Sequence, residues 1–94
     1  MDPIKIVVAG DNYLFTKGME CLIEESPYFD LSASVQSEAE LIDAISYKKA
    51  DVLAIDVSSI GWNTDTLNKL KKYAPLLKIL AFNTVKAKDW ATSF

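Results

Sequence analysis

The chain has no histidine, one cysteine and three glycines among its 94 residues. Without histidine there is no Ser-His-Asp triad, no Cys-His pair and no His-based zinc site. The single cysteine, Cys21, can form neither an internal disulfide nor a CxxC metal knuckle, so a reduced, cytoplasmic setting is expected. The turn after the first apolar run carries one glycine, Gly10, where a dinucleotide-binding fingerprint needs three, and the Gly-Lys-Ser/Thr of a P-loop is missing. No apolar stretch approaches the ~20 residues of a membrane span. The N-terminus leads almost directly into an apolar run, which does not read as a signal peptide. A clustered basic face is also lacking. The net charge is −3, the lysines are spread from Lys5 to Lys88, and the only cluster, Lys69 to Lys72, reads as the solvent face of a helix. Direct contact with nucleic acid is therefore not expected.

What is present is apolar material: half the residues are hydrophobic, enough for the core of one small domain of modest stability. Two short runs rich in β-branched residues each end in an aspartate. Ile4–Gly10 leads into Asp11, and Asp51–Ile55 leads into Asp56. Such runs read as strands buried on both faces of a parallel sheet, and ligands of open α/β sheets sit outside the carboxyl ends of such strands. The two carboxylates are expected to converge at one edge, where they could hold a divalent cation or carry a phosphoryl group.

Between and beyond these runs the pattern alternates. Asn12 caps a helix to about Glu25, with Leu14, Gly18, Leu22 and Glu25 on one stripe, broadened by Phe15, Met19 and Ile23. Ser26-Pro27 ends it. Phe29–Gln36 reads as a second strand, less apolar and suited to an edge. Ser37 and Glu40 form a capping box for a helix to about Lys48. Asp51–Val57 is the most apolar strand and is expected to be central. Asn63 or Thr64 caps a third helix with Leu67, Leu70 and Ala74 inward, and Pro75 ends it. Lys78–Phe82 is a fourth strand, and Ala87 onward starts a further helix. The alternation predicts right-handed crossovers and a parallel sheet with helices on both faces.

With these residues in place, the sequence resembles the receiver domains of bacterial two-component response regulators, especially the subfamily with a LuxR-type helix-turn-helix output domain. The likeness is carried by the run from Val7 to Met19, by Ala50–Val57, by Gly61 as a turn glycine, and by Pro75–Phe82, and it spans about Ile4 to Thr84. The resemblance implies a flavodoxin-like (CheY-like) doubly wound parallel sheet, here of about four strands in order 2-1-3-4, with the fifth βα unit lacking at the C-terminus. It implies Asp56 as phosphoacceptor from a phosphohistidine on a sensor kinase. It also implies Mg²⁺ held by Asp11, Asp56 and the backbone carbonyl of Ser58, because a cation must offset the charge of an attacking carboxylate and a phosphoryl group.

The chain departs from that pattern at several positions. Gly10 replaces one of two acids before the first helix, which lowers the expected Mg²⁺ affinity. Asn12 and Tyr13 replace a His-Pro pair, and Ser59-Ile60 replace Met-Pro. The hydroxyl switch position falls on Asn83, with Thr84 one place late. Lys86 and Lys88 lie in the wrong segment for the family's lysine. Plainer readings stand beside these: Asp11 as a helix N-terminal carboxylate, Asp56 as a turn cap, Asn83 as structural, Cys21 as a small buried or half-buried residue. Trp62, beside Asp56, reads as a lid or contact residue. Three functions follow as expectations: an interaction domain with phosphorylation weak or lost, a working phosphoacceptor at Asp56, or a small flavodoxin-like ligand-binding domain lined by Trp62 and the strand ends. Without a fifth strand, the Ile79–Phe82 edge and the C-terminal segment are expected to mediate a homodimer.

Overall fold

The computed structural model describes residues 2–47, 50–58 and 63–83. Four parallel strands, β1 (Ile4–Ala9), β2 (Phe29–Val35), β3 (Val52–Asp56) and β4 (Lys78–Phe82), alternate with three helices, α1 (Tyr13–Glu25), α2 (Glu38–Tyr47) and α3 (Thr64–Tyr73). The strands form one sheet in the order β2-β1-β3-β4. This is the doubly wound arrangement expected from the alternation.

Successive strand residues point to opposite faces, and both faces of β1 and β3 are covered. Val7, Ala9, Leu53 and Ile55 pack with Leu41 and Ile45 of α2 and Leu70 of α3. Ile6 and Val8 pack on the other face with Ile23 of α1, joined by half-buried Phe15 and Met19. A one-residue slip of either central strand would bring its polar neighbours into these layers, so the register is strongly fixed.

Local chemistry sets the element ends. The Asn12 side chain accepts from the Phe15 amide at 3.2 Å and the Asn63 side chain from the Thr66 amide at 2.9 Å, each satisfying an N–H of a first helical turn. The Ser37 Oγ accepts from the Glu40 amide at 3.2 Å, the first half of the expected capping box, while the Glu40 carboxylate accepts from the Ser37 hydroxyl at 3.2 Å in place of the Ser37 amide. Ser26 caps the C-terminus of α1 before Pro27. At the entry to β3 the Asp51 carboxylate accepts from the Lys5 amide at 2.9 Å, and the Asp51 amide donates to the Lys5 carbonyl at 2.8 Å, fixing the start of β3 beside β1.

Some expectations need correction. The strands are slightly shorter than the apolar runs, leaving Gln36, Asp51 and Val57 outside them. Helix α1 presents Phe15, Thr16, Met19 and Ile23 to the sheet, whereas Leu14 and Leu22 point outward, 80% and 63% exposed. Cys21 is exposed, not buried, because it shares the outward arc of α1 with Leu14 and Gly18. Trp62, Gly61, Ser59, Ile60, Thr84 and the readings placed from Lys86 to Phe94 lie outside the described residues. Among the described residues, no helix is long and apolar enough to cross a membrane.

Candidate functional site

The sheet brings the carboxyl ends of β1 and β3 side by side, with Ala9 paired to Ile55. Asp56 is the last residue of β3, and Asp11 follows β1 after Gly10. Both predicted aspartates therefore stand at the same rim of the sheet, on neighbouring strands. Their environments differ. Asp11 is exposed at the entry to α1. Asp56 is 1% exposed, one of three buried polar residues among those described, with Thr16 and Thr66.

A carboxylate this deeply placed requires hydrogen-bond donors. Ser58 supplies two: its amide donates to Asp56 Oδ1 at 3.0 Å and its hydroxyl to the same oxygen at 2.5 Å. The backbone leaving β3 is thus curled around the aspartate, an arrangement typical of Asx turns. The resemblance had implicated only the Ser58 carbonyl. The hydroxyl contact was missed, although a serine two residues after a strand-terminal aspartate is a signal for such a turn.

On the β4 side, the residue level with Asp56 is Phe82, whose carbonyl accepts from the Val57 amide at 2.8 Å. Its ring meets that of Phe15, with centroids 5.4 Å apart at 56°, a tilted aromatic pair that ties α1 to the rim. Asn83 follows Phe82 and is exposed. The expected switch position therefore lies one residue beyond the residue level with Asp56. Thr84 is not among the described residues.

The donor set for a cation is sparse. Gly10 leaves the rim with Asp11 and Asp56 as its carboxylates, and no group of three or more His, Cys, Asp or Glu side chains that could hold a metal occurs among the described residues. Mg²⁺ commonly retains several waters and needs only one or two protein carboxylates, so the chemistry of the two aspartates is compatible with a hydrated ion. A shallow cavity of about 320 Å³ opens nearby, and its described lining residues are Val57, Asn63, Thr64 and Leu67. Neither aspartate is among them.

No protein-family model matches the sequence, and no curated protein matches it. Solved structures do match its fold. The non-phosphorylated receiver domain of the stress response regulator RcsB from Escherichia coli is 19% identical, with a TM-score of 0.78 over 87% of this chain and 66% of that one. The isolated receiver domain of RcsB from Salmonella enterica serovar Typhimurium, solved with the phosphomimetic BeF₃⁻, is 19% identical, with a TM-score of 0.76 over 85% of this chain and 61% of that one. A Salmonella typhimurium RcsB response regulator structure is 20% identical, with a TM-score of 0.77, and the match covers 86% of this chain but 42% of that one. The fold is that of receiver domains: four parallel strands in order 2-1-3-4 with helices on both faces. The chain spans less than half the length of the longer protein and about two-thirds or less of the isolated domains.

Proposed function

We propose that the chain is an atypical receiver domain of a response regulator, acting in signal transduction or transcription regulation through protein–protein contact and dimerisation, with phosphorylation weak or lost. The observation that supports this reading is the rim itself: Asp56 ends β3 and Asp11 follows β1, its neighbour in the sheet, while Gly10 stands where the resembled family has a second acid. With one carboxylate fewer, the charge brought together by an aspartate attacking a phosphoryl group is less well offset. Mg²⁺ would be held by Asp11, Asp56 and the Ser58 carbonyl, and its role would be to neutralise phosphoryl oxygens. The chain works as a contact module, not an enzyme, with a sensor kinase or another regulator as partner and the cytoplasm as setting. Self-association is supported by β4, whose Leu80 and Phe82 remain 53% and 38% exposed.

A second reading, a functional phosphoacceptor, is favoured by the buried position of Asp56 and its two bonds from Ser58 at the strand end. One experiment separates the two. The protein is titrated with beryllofluoride or a small phosphoryl donor at millimolar Mg²⁺ while tryptophan fluorescence is followed, Trp62 lying close to Asp56 in sequence. The first reading expects no saturable change. A saturable change that disappears in Asp56→Asn would establish the second.

A further inference from the structure

The two rim aspartates are joined by more than the sheet. Helix α1 lies chiefly over β2 and β1, yet Phe15 in its first turn reaches past β3 to Phe82 of β4, with ring centroids 5.4 Å apart. Strand alternation explains the meeting. Leu53, Ile55 and Ile79 face α2 and α3, so Asp56, next after Ile55, and Phe82, of opposite parity to Ile79, fall on the α1 side. Asp56 and Phe82 are also level with each other in the β3–β4 ladder. The aromatic pair therefore involves the β4 neighbour of Asp56, on the same side of the sheet.

From each ring a short run of hydrogen bonds leads to an aspartate. The Phe15 amide donates to Asn12 Oδ1 at 3.2 Å and the Thr16 amide to the Asn12 carbonyl at 3.0 Å, so Asp11, the residue before this cap, is carried by the first turn of α1. At the other end the Val57 amide donates to the Phe82 carbonyl at 2.8 Å. Val57 lies between Asp56 and Ser58, whose amide and hydroxyl both donate to Asp56 Oδ1. We propose that Phe15 and Phe82 are positioning residues: their contact sets where the α1 entry, with Asp11, stands relative to the Asp56 turn, so that a displacement of α1 changes the affinity for a cation held by the two aspartates. The inference rests on the cation site of the receiver reading above.

The make-up of the first turn gives Phe15 this role. Tyr13 and Leu14 are exposed. Thr16 is buried, but its hydroxyl donates to the Asn12 and Tyr13 carbonyls of its own turn. Phe15 is the side chain that ties the turn to the far half of the sheet. Coupling of this kind is reciprocal: whatever the pair contributes to cation affinity, the cation returns to the pair. The energy of an aromatic contact beyond its buried area corresponds to about a two- to tenfold change in affinity.

Titration of the full chain with Mg²⁺, followed by the amide resonances of Asp11, Val57 and Ser58, tests the coupling. Phe15→Leu and Phe82→Leu are each expected to weaken Mg²⁺ about two- to tenfold, and the double variant no further than either single, because the same contact is lost in all three. Ile23→Val thins the same layer from the far end of α1, so it is expected to lower urea stability and leave Mg²⁺ affinity unchanged. Without cation, Phe15→Leu is expected to shift the Val57 and Ser58 amide resonances and speed their hydrogen exchange, which Ile23→Val does not. Parent affinity in both phenylalanine variants, with Val57 and Ser58 unmoved, overturns the coupling and leaves the cation site standing. An equal loss of affinity in Ile23→Val also overturns it, since stability of the layer would then be the cause. A parent whose three resonances ignore millimolar Mg²⁺ overturns the cation site and the proposal together, and leaves the contact-module reading intact.

Discussion

Asp56 carries two tasks that a substitution can separate. Its Oδ1 accepts both the amide and the hydroxyl of Ser58, and its carboxylate lies buried at the strand end. Asp56→Asn keeps an oxygen acceptor of the same shape while removing the charge, so the Ser58 turn is retained. Asp56→Ala leaves two donors unanswered in a buried setting, a change expected to cost about 1–3 kcal/mol. Urea unfolding is therefore expected to find Asp56→Asn close to or above the parent and Asp56→Ala clearly below it. Equal losses in both variants would mean that the charge itself, not the acceptor, holds the turn. Such a result would shift weight from a phosphoryl-handling role to a structural one.

Among the elements, α1 is the one whose outer face is hardest to account for within the single chain. Gly18 sits in its interior, and a Cβ added there meets nothing within 4 Å. Glycine inside a helix costs about 0.5–1 kcal/mol relative to alanine, so Gly18→Ala is expected to raise stability by that amount, read as a shift of the urea midpoint at unchanged slope. The same helix shows where the sequence stops being legible. Leu14, Gly18 and Leu22 and, one residue later, Phe15, Met19 and Ile23 both repeat every fourth residue, so helical spacing alone could not choose the buried stripe. The sheet chooses it: Phe15 reaches Phe82 of β4, while Leu14 and Leu22 are turned to solvent. Cys21 follows from that choice, since residue 21 lies a full two turns beyond Leu14 on the outward arc. Strand positions were legible because short apolar runs bounded by Asp, Gly and Pro leave little freedom. The caps at Asn12 and Ser37 were legible because side-chain chemistry fixes them locally, and of the two candidates for α3, Asn63 and Thr64, the capping bond falls on Asn63. Of the site, the two aspartates were readable at the ends of their runs. The Phe82 position level with Asp56 was not, because register between strands distant in sequence is set by packing.

At the scale of the whole molecule the two faces of the sheet are unequal. On the α2 and α3 side, ten buried residues form one cluster, including Leu41, Leu53, Ile55, Leu70 and Leu77, all at 2% exposure or less. On the α1 side, the buried apolar cluster among the described residues is smaller, Ile6, Val8 and Ile23, with Ala54 of β3 and Thr16 of α1 buried beside it. A small domain has little stability to distribute, and regions with few buried apolar contacts open first. Helix α1 is therefore expected to exchange its amides through a sub-global opening, while β1 and β3 exchange only with global unfolding. Hydrogen exchange at increasing urea should show the α1 amides at lower opening free energy than those of β3, with the two converging near the midpoint. Core truncation should follow the same division: Leu53→Ala is expected to cost about 2–5 kcal/mol, as full-size core deletions do, and Ile23→Ala less, because the thin layer around it can relax. Identical exchange of α1 and β3, with equal losses in the two variants, would mean that both layers act as one cooperative core. If α1 does open separately, the helix that follows Asp11 and carries Phe15 can be displaced without unfolding the strand that carries Asp56, so the rim would be a joint between a firm half and a yielding half of the molecule.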